Sequence, residues 1–93
     1  MNVEIITPEK KLFEGEVKAI QLPGKDGLFQ ILDNHAPIIA TLADGTVKMD
    51  LPKAFNTTEE TSDRLRAEGD LLFIDIANGV VEVNANKAIV LVN

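Results

Sequence analysis

Ninety-three residues, 45% hydrophobic and 26% charged, set one small globular domain and exclude a disordered chain. Fifteen acids against nine Lys and Arg give a net charge of −6, and Trp and Tyr are absent. This excludes a basic nucleic-acid face and a base-stacking platform. With no cysteine there is no disulfide and no thiolate metal site, so packing alone holds the fold.

The N-terminal stretch Met1–Lys11 lacks the basic start and apolar core of a secretory signal. No apolar run approaches the roughly 18 residues that span a bilayer. Lys10, Lys11, Glu9, Glu14 and Glu16 read as a solvated sheet edge, where charge discourages edge-to-edge pairing. Gly15, between Leu12-Phe13 and Val17–Leu22, marks a bulge or a turn.

Residues 22–37 form the densest turn system, with two of the four prolines and the single histidine. Alternation sets Phe29 and Ile31 on one face and Leu28 and Gln30 on the other. Phe29 is therefore expected inside and Leu28 near the loop tip. Farther on, Asp44-Gly45 precedes a strand in which Val47, Met49 and Leu51 alternate with Lys48 and Asp50.

The stretch 52–69 breaks the period of two. Thr57 and Glu60 offer a capping box, Arg64 and Arg66 close the segment, and Gly69 stops it. This predicts a loop insertion with a helix of about three turns, anchored by Leu65 and Ala67, with an unstructured loop as the alternative. Next comes a near-continuous apolar run, Leu71–Ala77, broken by Asp75. Asn78-Gly79 then reads as a hairpin turn. Val81 and Val83 flank Glu82, and Asn84-Ala85-Asn86 leads into Lys87–Val92, apolar on both faces after its first residue.

About nine short strands at this spacing predict an all-β sandwich or barrel. The expected core is Ile5, Val17, Ile20, Phe29, Ile31, Val47, Phe73, Val81, Val83 and Val90.

Catalytic chemistry finds little support. His35 has Asp33 two residues away but no nucleophile, and zinc would need three oxygen ligands beside it. A turn-shaping histidine bonded to backbone is the expected role. Gly24-Lys25-Asp26-Gly27 lacks the Gly-Lys-Ser/Thr ending and following helix of a phosphate loop. No catalytic residue, cofactor or metal is expected.

Three motifs in order carry a family resemblance. Val3-Glu4-Ile5-Ile6-Thr7-Pro8-Glu9 precedes Leu12-Phe13-Glu14-Gly15-Glu16-Val17. Then comes Leu22-Pro23-Gly24-x-Asp26-Gly27-x-Phe29-x-Ile31-Leu32-x-x-His35-Ala36-Pro37. Last, Asn78-Gly79-Val80-Val81-Glu82-Val83 precedes Asn86-Lys87-Ala88-Ile89-Val90-Leu91. This order resembles the N-terminal domain of the epsilon subunit of F-type ATP synthase. The resemblance spans 1–51 and 70–93.

It implies one ten-stranded β-sandwich over 1–93, with the short helix or loop insertion near 52–69. It implies a non-catalytic rotor subunit in the central stalk of a proton- or sodium-translocating synthase. Such a subunit lies peripherally at the cytoplasmic face of the inner membrane, without inserting into it. The implied partners are the gamma subunit and the c-ring, with no nucleic acid. Gly24, Asp26, Gly27 and Leu28 would face the ring; Thr7, His35, Ala36 and Pro37 would face gamma. Leu28 stands where the family often has an acid, which implies a more apolar ring contact. The family's C-terminal helical pair, which supplies ATP binding and inhibition in some members, has no counterpart before Asn93. Two other classes remain open: a freestanding β-sandwich module for sugars or peptides, and a small hydrolase using His35.

Overall fold

Alternating apolar and polar residues become strands because successive side chains point to opposite sheet faces. The structure, a computed structural model, describes residues 1–55 and 64–93. Ten strands run through them: β1 (Asn2–Ile6), β2 (Lys11–Glu16), β3 (Ala19–Gly24), β4 (Gly27–Leu32), β5 (Ile38–Leu42), β6 (Gly45–Asp50), β7 (Leu65–Glu68), β8 (Leu71–Ile76), β9 (Gly79–Asn84) and β10 (Lys87–Val92). None of the described residues is helical.

The strands form two five-stranded layers. One has the order β2-β1-β10-β9-β5, the other β4-β3-β6-β8-β7. A single backbone pair, Gly24 with Leu42, joins them, so the sheet curls over on itself. All adjacent strands are antiparallel except β1 and β10. The core lies between the layers. Val3, Ile5, Val81, Val83, Ala88 and Val90 face inward from the first; Ile20, Ile31, Val47, Met49, Leu72 and Ile74 face inward from the second.

Most of the expected core is buried here, and Phe29 packs against it while half-buried. Phe73 is a correction. In β8, Leu72, Ile74 and Ile76 point inward, which sends Phe73 to the outer face. There its ring lies 5.8 Å from the guanidinium carbon of Arg66. The run was apolar on both parities, so alternation alone did not choose the inner one.

The 52–69 segment differs from expectation where it is described. Leu65–Glu68 is an edge strand paired with β8, not the end of a helix. Leu65 enters the core while Ala67 stays exposed. The backbone of β8 provides a ladder that local propensity does not register. Thr57 and Glu60, the expected capping pair, lie outside the described residues.

Two turn assignments also change. Asn78-Gly79 is not a hairpin: β8 pairs with β6 and β7, whereas β9 pairs with β10 and β5. The dipeptide carries the chain from one layer to the other. Gly15 is not the bulge, either. The register shift lies between Ile5 and Ile6, opposite Phe13 and Lys11, leaving Leu12 as the extra residue. That extra residue explains how consecutive Leu12 and Phe13 are both buried.

Asn84-Ala85-Asn86 does join β9 to β10 as expected. Ala85 sits at φ +52° and Asn86 at φ +58°. A Cβ there costs alanine about 1 kcal/mol, which asparagine tolerates better. Ala85→Asn is therefore expected to raise stability by about 0.5–1 kcal/mol in denaturant unfolding.

Candidate contact surfaces

The Gly24–Leu28 hairpin closes β3 onto β4 through Lys25 and Asp26. A Cβ on Gly24 would lie 2.7 Å from the Gly27 carbonyl and 2.8 Å from the Phe29 ring, so only glycine allows this closure. Lys25 donates its amide to the Thr41 carbonyl at 3.0 Å, tying the tip to β5. Lys25, Asp26 and Gly27 are exposed, and Leu28 is 67% exposed. A groove of about 490 Å³ runs between the hairpin and Ile39–Thr41.

The His35–Pro37 corner lies at the opposite end of the first layer. His35 donates its amide to Leu32, and its ring Nδ1 lies 2.8 Å from the Ala36 carbonyl. Asn34, at φ +62°, donates its amide to the Asn86 carboxamide at 2.7 Å. The Met1 ammonium bonds Asp33 and also Glu16 at 3.2 Å, and Asp33 foremost raises that amine's pKa above its ordinary value. His35 itself is exposed and bonded to local backbone, the turn-shaping geometry.

Thr7 is not brought to this corner. It follows the end of β1 where Ile6 pairs with Leu91, beside the Gly79 end of β9. Its hydroxyl is buried in a turn, donating to the Lys10 carbonyl at 2.9 Å and accepting the amides of Glu9 and Lys10. Thr7 therefore shapes the Thr7–Lys10 turn, and its side chain offers little to a partner.

Between the two corners lies an apolar stripe that the expected sites did not include. On the outer face of the first layer, Ile39 is 73%, Leu91 51% and Val80 39% exposed. Register makes Ile6, Leu91 and Val80 direct neighbours in turn, while Ile39 opposes Glu82 and lies diagonal to Val80, which opposes Thr41. Half-buried Ile6 and Ile89 extend the patch. The signal was the two-faced apolarity of Lys87–Val92, which also fits a strand covered on one side only.

Charged side chains lie around this face and pair locally. Lys11 reaches Glu14 at 2.8 Å and Glu4 at 3.2 Å, lowering the Glu4 carboxyl pKa and raising that of the Lys11 amine. On the second layer Arg66 meets Asp75 at 2.6 Å, and Thr46 also donates to that carboxylate. Arg66 is the main reason the Asp75 carboxyl is held below its usual range. Among the described residues, no group of three His, Cys, Asp or Glu side chains is placed to hold a metal ion. Among the described residues there is no helix long and apolar enough to cross a membrane.

Residues 1–93 match the family described as ATP synthase, Delta/Epsilon chain, beta-sandwich domain. The chain belongs to the ATP synthase delta/epsilon family. The ATP synthase epsilon chain of Chlorobium limicola is 39% identical over 90 residues, which cover 97% of this chain and 85% of that protein. That of Leptospira borgpetersenii is 35% identical over 91 residues, but only 59% of its length is covered. A chain in the cryo-EM structure of the Tetrahymena thermophila mitochondrial ATP synthase central stalk and c-ring superposes with a TM-score of 0.74 at 20% identity. The match covers 99% of this chain and 62% of that one, and it shows the shared fold. The two layers described above make up this delta/epsilon sandwich.

Proposed function

We propose that this delta/epsilon domain is a non-catalytic central-stalk subunit of a proton- or sodium-translocating ATP synthase. It links the gamma subunit to the c-ring, coupling ion flow to ATP synthesis at the cytoplasmic face of the inner membrane. The observation that carries the reading is the presence of two separate exposed features on one sandwich. An exposed hairpin closes the second layer, and an uncovered apolar stripe crosses the first. A subunit that transmits torque needs both. Family membership supports the reading, as does the origin of the solved structure with the same fold.

The hairpin residues Gly24, Asp26, Gly27 and Leu28 face the ring's polar loops in this reading. Gamma takes the other surface, bounded by Thr7 at one corner and by His35, Ala36 and Pro37 at the other. The stripe of Leu91, Val80 and Ile39 supplies the apolar area between them, larger than isolated surface residues require. Thr7 contributes through the turn it holds.

Reconstitution with purified gamma and c-ring of the same organism tests the assignment. Leu28→Asp is expected to weaken ring affinity by about tenfold, the loss of one buried leucine. Wild-type ring affinity should change little with salt, because apolar burial is not screened. Ile39→Asp and His35→Ala should weaken gamma binding and leave ring affinity intact. Unchanged affinities in all three variants would reject these surfaces.

A further inference from the structure

The sandwich has four outer edges, and three of them are blunted. β2 carries Lys11, Glu14 and Glu16 and a bulge at Leu12. β7 is four residues long and presents Arg66 and Glu68. β5 follows Pro37, which has no N–H to offer, and its Thr41 carbonyl is occupied by Lys25. These are the usual protections against strand addition. β4 has only one of them, an occupied carbonyl at its last residue, Leu32. Its six residues, Gly27–Leu32, contain no charge, no proline and no bulge, and among the described residues no strand pairs with its far side.

The direction of the backbone groups follows from Pro23. Its carbonyl accepts the Ala43 amide at 2.8 Å, so it points away from β4. In an antiparallel ladder, pairs that exchange hydrogen bonds alternate with pairs that do not. Leu22 with Phe29 and Ile20 with Ile31 therefore carry the β3–β4 bonds. Leu28, Gln30 and Leu32 turn their amides and carbonyls to the open edge. Of these groups, the Leu32 carbonyl already accepts the local His35 amide at 3.2 Å.

We propose that β4 pairs antiparallel with β4 of a second copy of this chain, across a two-fold axis at Gln30. That register is self-complementary. Gln30 opposes Gln30 of the second copy, exchanging both backbone bonds, and Leu28 opposes Leu32 twice. All three lie on the outer face, as opposed residues must, and Leu28 and Leu32 are 67% and 54% exposed in the single chain. Phe29 and Ile31 oppose each other on the inner side. The charges of Lys25, Asp26 and Asp33 fall outside the paired stretch. The two second layers become one continuous ten-stranded sheet. Because the pairing covers Leu28, a paired chain cannot present its hairpin to another partner. The proposal stands independently of the assignment of that hairpin to the c-ring.

Sedimentation of the 93-residue chain over a wide concentration range should show the mass rising from 10.1 kDa toward twice that value. Gln30→Pro removes an amide that β3 does not use, and Leu28→Lys puts charge against Leu32; each should leave a monomer at every concentration. Gln30→Cys should cross-link two chains under copper–phenanthroline oxidation, because opposed residues in a bonded pair have Cα atoms about 5.5 Å apart. Circular dichroism checks that each variant is folded; if Gln30→Pro is not, Leu28→Lys and the cross-link decide. A wild-type chain that stays monomeric to millimolar concentration overturns the proposal. So does a dimer that survives Leu28→Lys but is lost in Ile39→Asp, which would place the contact on the stripe.

Discussion

Leu72→Ala is expected to cost about 2–5 kcal/mol of unfolding free energy, whereas its neighbour Phe73→Ala costs only about 1–1.5. Leu72 is fully buried between Met49 and Ala67 in the ladder, facing the opposite layer. Its removal leaves a cavity that two packed sheets cannot close. Phe73 covers the outer face and leans on Arg66, so its truncation loses partial burial and one cation–π contact. For a domain whose total stability is on the order of 5–15 kcal/mol, the first change is severe and the second is tolerated. Urea unfolding at unchanged slope reads both. Equal losses would show that β8 faces the core with the other parity.

Gly79→Ala is expected to destabilise by about 1–3 kcal/mol, although Ala is the smallest possible addition. A Cβ at this position would lie 2.5 Å from the Leu91 carbonyl oxygen and 3.2 Å from the Val92 Cγ1. The first neighbour is backbone fixed in the β9–β10 ladder, so it cannot rotate away. Gly79 has no positive φ; its requirement is close approach where the chain crosses between layers. Gly15→Ala is the control. Its Cβ would meet the Phe13 ring at 3.4 Å, an ordinary contact, and the change should stay within about 0.5 kcal/mol. Melting both variants beside the wild type separates a steric requirement from a general intolerance of alanine in strands.

The His35 corner was legible because its logic is local. A histidine between Asn34 and Pro37, with no nucleophile and no second ligand, reads as part of a turn, and its ring does bond the Ala36 carbonyl. Leu28 near the hairpin tip was legible for the same reason. The apolar stripe was not. Ile39, Val80 and Leu91 lie in three strands brought together by β5–β9–β10 pairing, and no local window contains that arrangement. The separation of Thr7 from His35 likewise depends on which ends of β1 and β5 coincide.

The sequence by itself determined the strand class of the chain and most of its inner face. Val47, Met49, Val81, Val83, Ala88 and Val90 alternate in a way that only a sheet buried on one side uses. It also carried the three motifs that identify the family. Only the tertiary structure decided how these strands are joined. Asn78-Gly79 has the composition of a hairpin, yet it crosses between layers because β8 and β9 each find other partners. Leu65–Glu68 carries helix-compatible residues, yet it extends along β8 because an open ladder satisfies its backbone. Phe73 is as apolar as its neighbours, yet it lies outside because the opposite layer faces Leu72 and Ile74. Alternation is a property of adjacent residues. Pairing, crossing and the choice of an inner face are set by contacts distant along the chain, where the burial of one segment depends on the position of another.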